Sequence, residues 1–337
     1  MTEIILVVLG IAVLLYVVLG GADFGAGIVE IFTGKKGIDT ISKAIAPVWE
    51  ANHIWLILAI VILFNGFPPV YTTLTTYLHI PVFIILLGVI FRGSAFIFRY
   101  YDTENNNAHW YYTWLFRLSS VITPFFLGVI LGSVILGEIP PTTDGPFYII
   151  FVSPWFNWFA FTTGIFITLL FGWLAAVYLT GEANDEEGYA LFAKTSRLFL
   201  ILLILSGMGV FLAGERSGLN LVAKFRASFI SIACVGITTM LIPLLLRSIK
   251  RRNSLLTRFI AEIQTACILA GWFAVQLPVM IFIKGGAHLT IWNTQAPDRT
   301  LLFLLYALIV GIVLVLPAFG YLFKIFKLDK EVDKSDG

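Results

Sequence analysis

The chain has 337 residues, 59% of them hydrophobic and 12% charged, with a formal net charge of +2 and a mean hydropathy of +0.93. An ordinary soluble domain is roughly 45–50% apolar and about 25% charged. The excess of apolar surface excludes a soluble enzyme, a nucleic-acid binder and a disordered chain.

About 20 apolar residues cross a bilayer as one helix. In chain order the apolar runs predict nine spans, over about 4–32, 46–67, 74–98, 113–136, 155–180, 191–213, 225–246, 259–283 and 301–325. The N-terminus, Met1-Thr2-Glu3, carries no basic region and no cleavage site follows, so the first run reads as a retained span. Turn chemistry or charge separates the runs, as in Thr33-Gly34-Lys35-Lys36 and Phe67-Pro68-Pro69. With odd-numbered loops on one side, that side and the tail hold seventeen of the 22 Lys and Arg residues. The positive-inside rule then puts the N-terminus outside and the C-terminus in the cytoplasm. Gly21 and Gly25, and Gly128 and Gly132, stand four apart, the spacing of close helix packing.

Ionisable residues in a membrane helix are costly, about 2.5–3.5 kcal/mol on insertion scales. Those that stand out are Asp23 in span one, Glu50 and His53 in span two, His79 and Arg92 in span three, and Glu262 in span eight. At about 1.5 Å rise per residue, Asp23 lies about 28 Å and Glu50 about 25 Å from the outer ends of their spans. Both acids therefore share a level near the cytoplasmic side. Glu50 and His53 share a helix face, as do Trp49 and His53, and Asn52 and Trp55 complete the patch. Two readings stand: a proton uptake route through Asp23, Glu50, Asn52 and His53, or interfacial acids paired with Lys35, Lys36 or Lys43. Arg92 reaches the same level; it neutralises an acid or, more simply, snorkels to the interface. Trp272 and Gln276 are read as mid-membrane residues of span eight, placed for helix packing or for a quinone.

His53 and His79 fall at opposite ends of their spans, so the chain is expected to hold no haem by itself. Cys234 and Cys267 lie alone in apolar runs, and no metal-ligand cluster, nucleophilic triad or phosphate-cradling loop is legible.

Several motifs carry a family resemblance. They are Gly21-Ala22-Asp23-Phe24-Gly25; the run from Ala46-Pro47-Val48-Trp49-Glu50 through Asn52-His53-Ile54-Trp55; Phe67-Pro68-Pro69-Val70-Tyr71; Arg92-Gly93; and Gly271-Trp272 through Gln276-Leu277-Pro278. In this order they resemble subunit II of the cytochrome bd-type quinol oxidases. The resemblance implies an all-α polytopic fold of two four-helix bundles, about 1–136 and 150–284, a peripheral helix about 300–327 and a polar tail, 328–337. It implies a haem-bearing partner, subunit I, with haem b and haem d (or haem b alone) and the quinol site. It further implies a complex in the bacterial cell membrane that oxidises quinol, reduces dioxygen to water and draws protons from the cytoplasm. Subunit II would bind no haem, support assembly and supply part of a proton path. Asp23 and Glu50 fall on the family's acidic positions, Trp49 next to the subunit contact, with Trp55 and Arg92 as further interface candidates. Gly20 stands where some members carry an additional acid. A small single-span auxiliary subunit and a structural quinone or lipid also belong to what the family suggests. The alternative from a different class is a proton-coupled secondary transporter.

Overall fold

The computed structural model describes residues 1–45, 49–101 and 108–332. In chain order its helices are α1 (Thr2–Thr33), α2 (Ile38–Ile45), α3 (Trp49–Gly66), α4 (Pro68–Tyr77), α5 (His79–Tyr101), α6 (Ala108–Leu136) and α7 (Phe147–Phe151), then α8 (Trp158–Thr180), α9 (Glu186–Arg216), α10 (Leu221–Ala227), α11 (Phe229–Lys250) and α12 (Ser254–Gln276). A small hairpin, β1 (Val279–Ile281) and β2 (Leu289–Thr290), precedes α13 (Asp298–Val332). Among the described residues eight helices are long and apolar enough to cross a bilayer, and the pair α3 and α4 brings the number to nine if it is counted as one bent span.

Local chemistry sets the helix limits. Asn157, Asp185 and Asn253 each accept a hydrogen bond from the backbone N–H three residues on, and so cap α8, α9 and α12. Pro68 and Pro69 occupy the first turn of α4, where no backbone donor is missed. The chain therefore resumes as helix immediately after Phe67, but bent by 113°. Residues 74–77, expected to open the third span, belong to this crosswise segment. Phe225, expected to open the seventh span, likewise lies in the short α10.

Helix α8 is the central element. Both predicted glycine pairs meet it: a Cβ on Gly25 would come within 1.9 Å of the Phe171 carbonyl oxygen, and one on Gly128 within 2.6 Å of that of Thr163. The glycines thus set how closely α1 and α6 approach α8, which joins the two halves of the chain. The core forms two layers along the helix axes. One surrounds Phe24, Phe116, Phe171 and Trp173, and the other Ile62, Phe67 and Phe159. Large apolar side chains such as Phe229 and Met240, each more than 80% exposed, cover the outside, as lipid contact requires. Helix α13 packs on α3 and α1.

A buried ion-pair ladder and a polar cleft

Helices α1 and α5 carry matching charges at a seven-residue spacing, about two turns, which returns side chains to one face. Asp23 on α1 is 3% exposed and pairs with Arg92 on α5, which is fully buried. Two turns along, Glu30 is fully buried and accepts from Arg99 Nη1 at 2.9 and 2.8 Å and from Arg117 Nε of α6 at 3.0 Å. Aromatic rings enclose the guanidinium groups: Arg92 lies 5.3 Å from the Phe24 ring and 5.4 Å from Phe116, and Arg99 lies 4.4 Å from Phe116. Arg92 therefore does not snorkel. A partner acid in a buried, aromatic-walled site holds its charge more effectively than a distant interface could, and the side chain is fully buried.

The ladder's inner rung is incompletely bonded. Asp23 Oδ1 takes the bond from Arg92, whereas Oδ2 is buried without a partner. The Tyr16 hydroxyl, two turns before Asp23 on the same face, is also buried and unpartnered. Asn52 of α3 is fully buried beside Asp23, with neither amide atom in a well-formed hydrogen bond. It fills the space left by Gly20, where a Cβ would meet Asn52 Nδ2 at 2.7 Å. His53 is half-buried within electrostatic reach of Arg92. Trp55 is half-buried against the same core layer. Trp49 and Glu50 begin α3, but their side chains lie outside the described residues.

On the other side of α1, Asp23 also lines a cavity of about 230 Å³ bounded by α1, α2, α8 and α12. Here the Tyr178 hydroxyl donates to Glu262 at 3.0 Å, and Arg258 Nη2 donates to the Tyr178 carbonyl at 3.0 Å and to Glu182 at 2.9 Å. Two ion pairs, Lys36 with Glu187 and Arg252 with Glu186, tie the neighbouring loops together. In each, the hydrogen bond to the carboxylate holds the cation above its ordinary pKa.

Trp272 and Gln276 do not line this cleft. Trp272 stacks on Phe159 with ring centroids 6.5 Å apart and an 8° interplanar angle. Gln276 is the last residue of α12, not a mid-span residue, and its Nε2 donates to the Met280 carbonyl at 3.0 Å. The apolar run continues past the helix end into the β1 hairpin, which is why the two could not be separated by hydropathy. His53 starts α3 whereas His79 starts α5 at the opposite end, where its ring packs on Phe151. This does not fit a haem held between the two imidazoles. Glu30 had no mark in the sequence except its seven-residue offset from Asp23, mirrored by that of Arg92 and Arg99.

A family model described as cytochrome bd terminal oxidase subunit II matches residues 1–326. The chain is 32% identical over 156 residues to cytochrome bd ubiquinol oxidase subunit 2 of Bacillus subtilis (strain 168), a match that spans 45% of each chain and thus less than half of that relative's length. It is 25% identical to the putative cytochrome bd menaquinol oxidase subunit II of the same organism, over 94% of this chain and 93% of the relative. Its fold is similar to that of a chain in the bd oxidase of Geobacillus thermodenitrificans, with a TM-score of 0.78 and 19% identity, over 96% of this chain and 98% of that one.

Proposed function

The chain belongs to the cytochrome bd terminal oxidase subunit II family, and on that premise we propose that it is the haem-free second subunit of a quinol-oxidising, dioxygen-reducing complex. The complex lies in a bacterial cell membrane. Its redox chemistry is supplied by haem b, with or without haem d, in a subunit I partner. In this reading residues 1–136 and 150–284 form two four-helix bundles and 300–327 the peripheral helix, which the packing of α13 on α3 and α1 supports. Apolar cavities beside Trp272 are open to a lipid or a structural quinone.

This chain's own contribution is to hold the partner in place, with Trp49 and Trp55 at the contact, and to move protons through Asp23, Glu50, Asn52 and His53. The observation that carries it is the setting of the Asp23 carboxylate: it is buried, held by Arg92, has the Asn52 amide beside it, and also lines a cavity. A purely structural ion pair needs no cavity beside it; a group that exchanges protons needs a route to it. A proton-coupled transporter calls instead for a midplane site between broken helices. The one sharp break among the described helices, after Gly66, lies at a helix end away from Asp23.

The test is an absorption spectrum and an oxygen-consumption rate on the purified complex. Haem bands in a second chain that co-purifies with this one are expected; a chain that purifies stably alone, without haem bands, overturns the reading. Within the assembled complex, Glu50→Gln is expected to slow turnover while haem content is kept. Unchanged turnover would remove Glu50 from the path and leave the oxidase reading standing.

A further inference from the structure

Glu262 and Tyr178 have no part in the reading above, yet they share a cavity with Asp23. We propose that the cleft between α1, α2, α8 and α12 is an aqueous inlet that brings water, and protons with it, from the basic end of the molecule to Asp23. The cleft's existence does not depend on the oxidase reading; only the use made of the protons rests on it.

The polar groups form a graded series. Glu182 and Arg258, about 26% and 30% exposed, stand at the mouth. Glu262 and the Tyr178 hydroxyl lie further in, bonded to each other at 3.0 Å. Asp23 closes the inner end. Between them the wall is built from alanine side chains, among them Ala22, Ala44 and Ala175, which leave space that larger residues would fill. A volume of about 230 Å³ has room for several waters, and the Asp23, Tyr178, Glu182, Arg258 and Glu262 groups set into an otherwise apolar wall give them polar partners. An intramembrane acid facing such a space marks an ion or proton route. The proton balance is simple. Bulk water protonates the file at the mouth, one proton passes to the Asp23 carboxylate, and one leaves toward the reaction, so the chain gains no charge over a turnover.

The alternative is that Glu262, Tyr178, Arg258 and Glu182 merely lock α8 to α12. Two measurements separate these. In a Cys234→Ser/Cys267→Ser background, Ala22→Cys and Ala44→Cys are placed in the wall, with Ala176→Cys, fully buried on the same stretch of α8 but outside the cleft, as the control. A charged, membrane-impermeant thiol reagent is applied to each face of membrane vesicles in turn. Both wall cysteines are expected to react from one face, with the control unreactive; wall cysteines as inert as the control overturn the inlet. In the assembled complex, Glu262→Gln keeps an acceptor for the Tyr178 hydroxyl and is expected to reduce turnover severalfold at unchanged haem content, with recovery in Glu262→Asp. Full turnover in Glu262→Gln would reduce that set to a helix lock. Labelling is read on this chain alone, so it decides water access even if no haem-bearing partner is found.

Discussion

Removing one member of a buried pair costs more than the pair contributes, because the survivor is left as an uncompensated buried charge. Arg92→Ala is therefore expected to destabilise the protein by about 3–5 kcal/mol, the range for breaking a buried pair, whereas Asp23→Asn with Arg92→Gln, which removes both charges, is expected to lose much less. Thermal melting of the solubilised protein checks both; equal losses would show that packing, not charge, governs the site. Glu30→Gln strands two cations, Arg99 and Arg117, and is expected to melt below the Asp23→Asn variant. These pairings were only half legible. Asp23 and Arg92 announce themselves as costly residues inside apolar runs, and their shared level follows from helix rise. That they meet does not, because they lie 69 residues apart on helices whose facing sides only the folded chain defines. Glu30 escaped for a different reason: three residues from the end of α1, an acid is ordinary at an interface, and the arginines that bond it come from α5 and α6.

Helices were read from the sequence more faithfully than the places where they stop. Length and apolarity mark a span, so α1, α6, α8 and α9 appear close to where they were expected. Hydropathy does not distinguish apolar helix from apolar turn. It therefore ran the eighth span through Gln276 into the hairpin, and it merged the crosswise α4 with α5. The glycine pairs were legible because their physical role is simple: a missing Cβ matters where two backbones touch. Gly25→Val is expected to push α1 away from α8, since even a Cβ would lie 1.9 Å from a backbone oxygen that cannot rotate aside. Overpacking of this kind costs about 1–3 kcal/mol or more. Gly10→Ala on the same helix meets nothing within 4 Å and is expected to be neutral or slightly stabilising. The comparison is read as haem-containing complex recovered per unit of membrane. A Gly25→Val protein that assembles like the parent would mean that α1 and α8 are free to separate.

At the scale of the whole molecule, the direction of the polar cleft matters more than its residues. Its mouth, at Glu182 and Arg258, shares an end with Lys36, Lys250, Arg251 and Arg252. The positive-inside rule would assign that end to the cytoplasm, and under the proposed function the consequence would be energetic: each proton drawn in through the field from that side would be worth about 2.3 kcal/mol per elementary charge at 100 mV. Uptake from the exterior would store nothing. Single cysteines at Ser254, by the basic loop, and at Asp298, at the start of α13, make the prediction concrete. In intact cells an impermeant thiol reagent is expected to reach Asp298→Cys and not Ser254→Cys, and in inverted vesicles the reverse. The opposite pattern would turn the molecule over, place the mouth of the cleft outside, and remove the reason for a proton route to run through this chain at all.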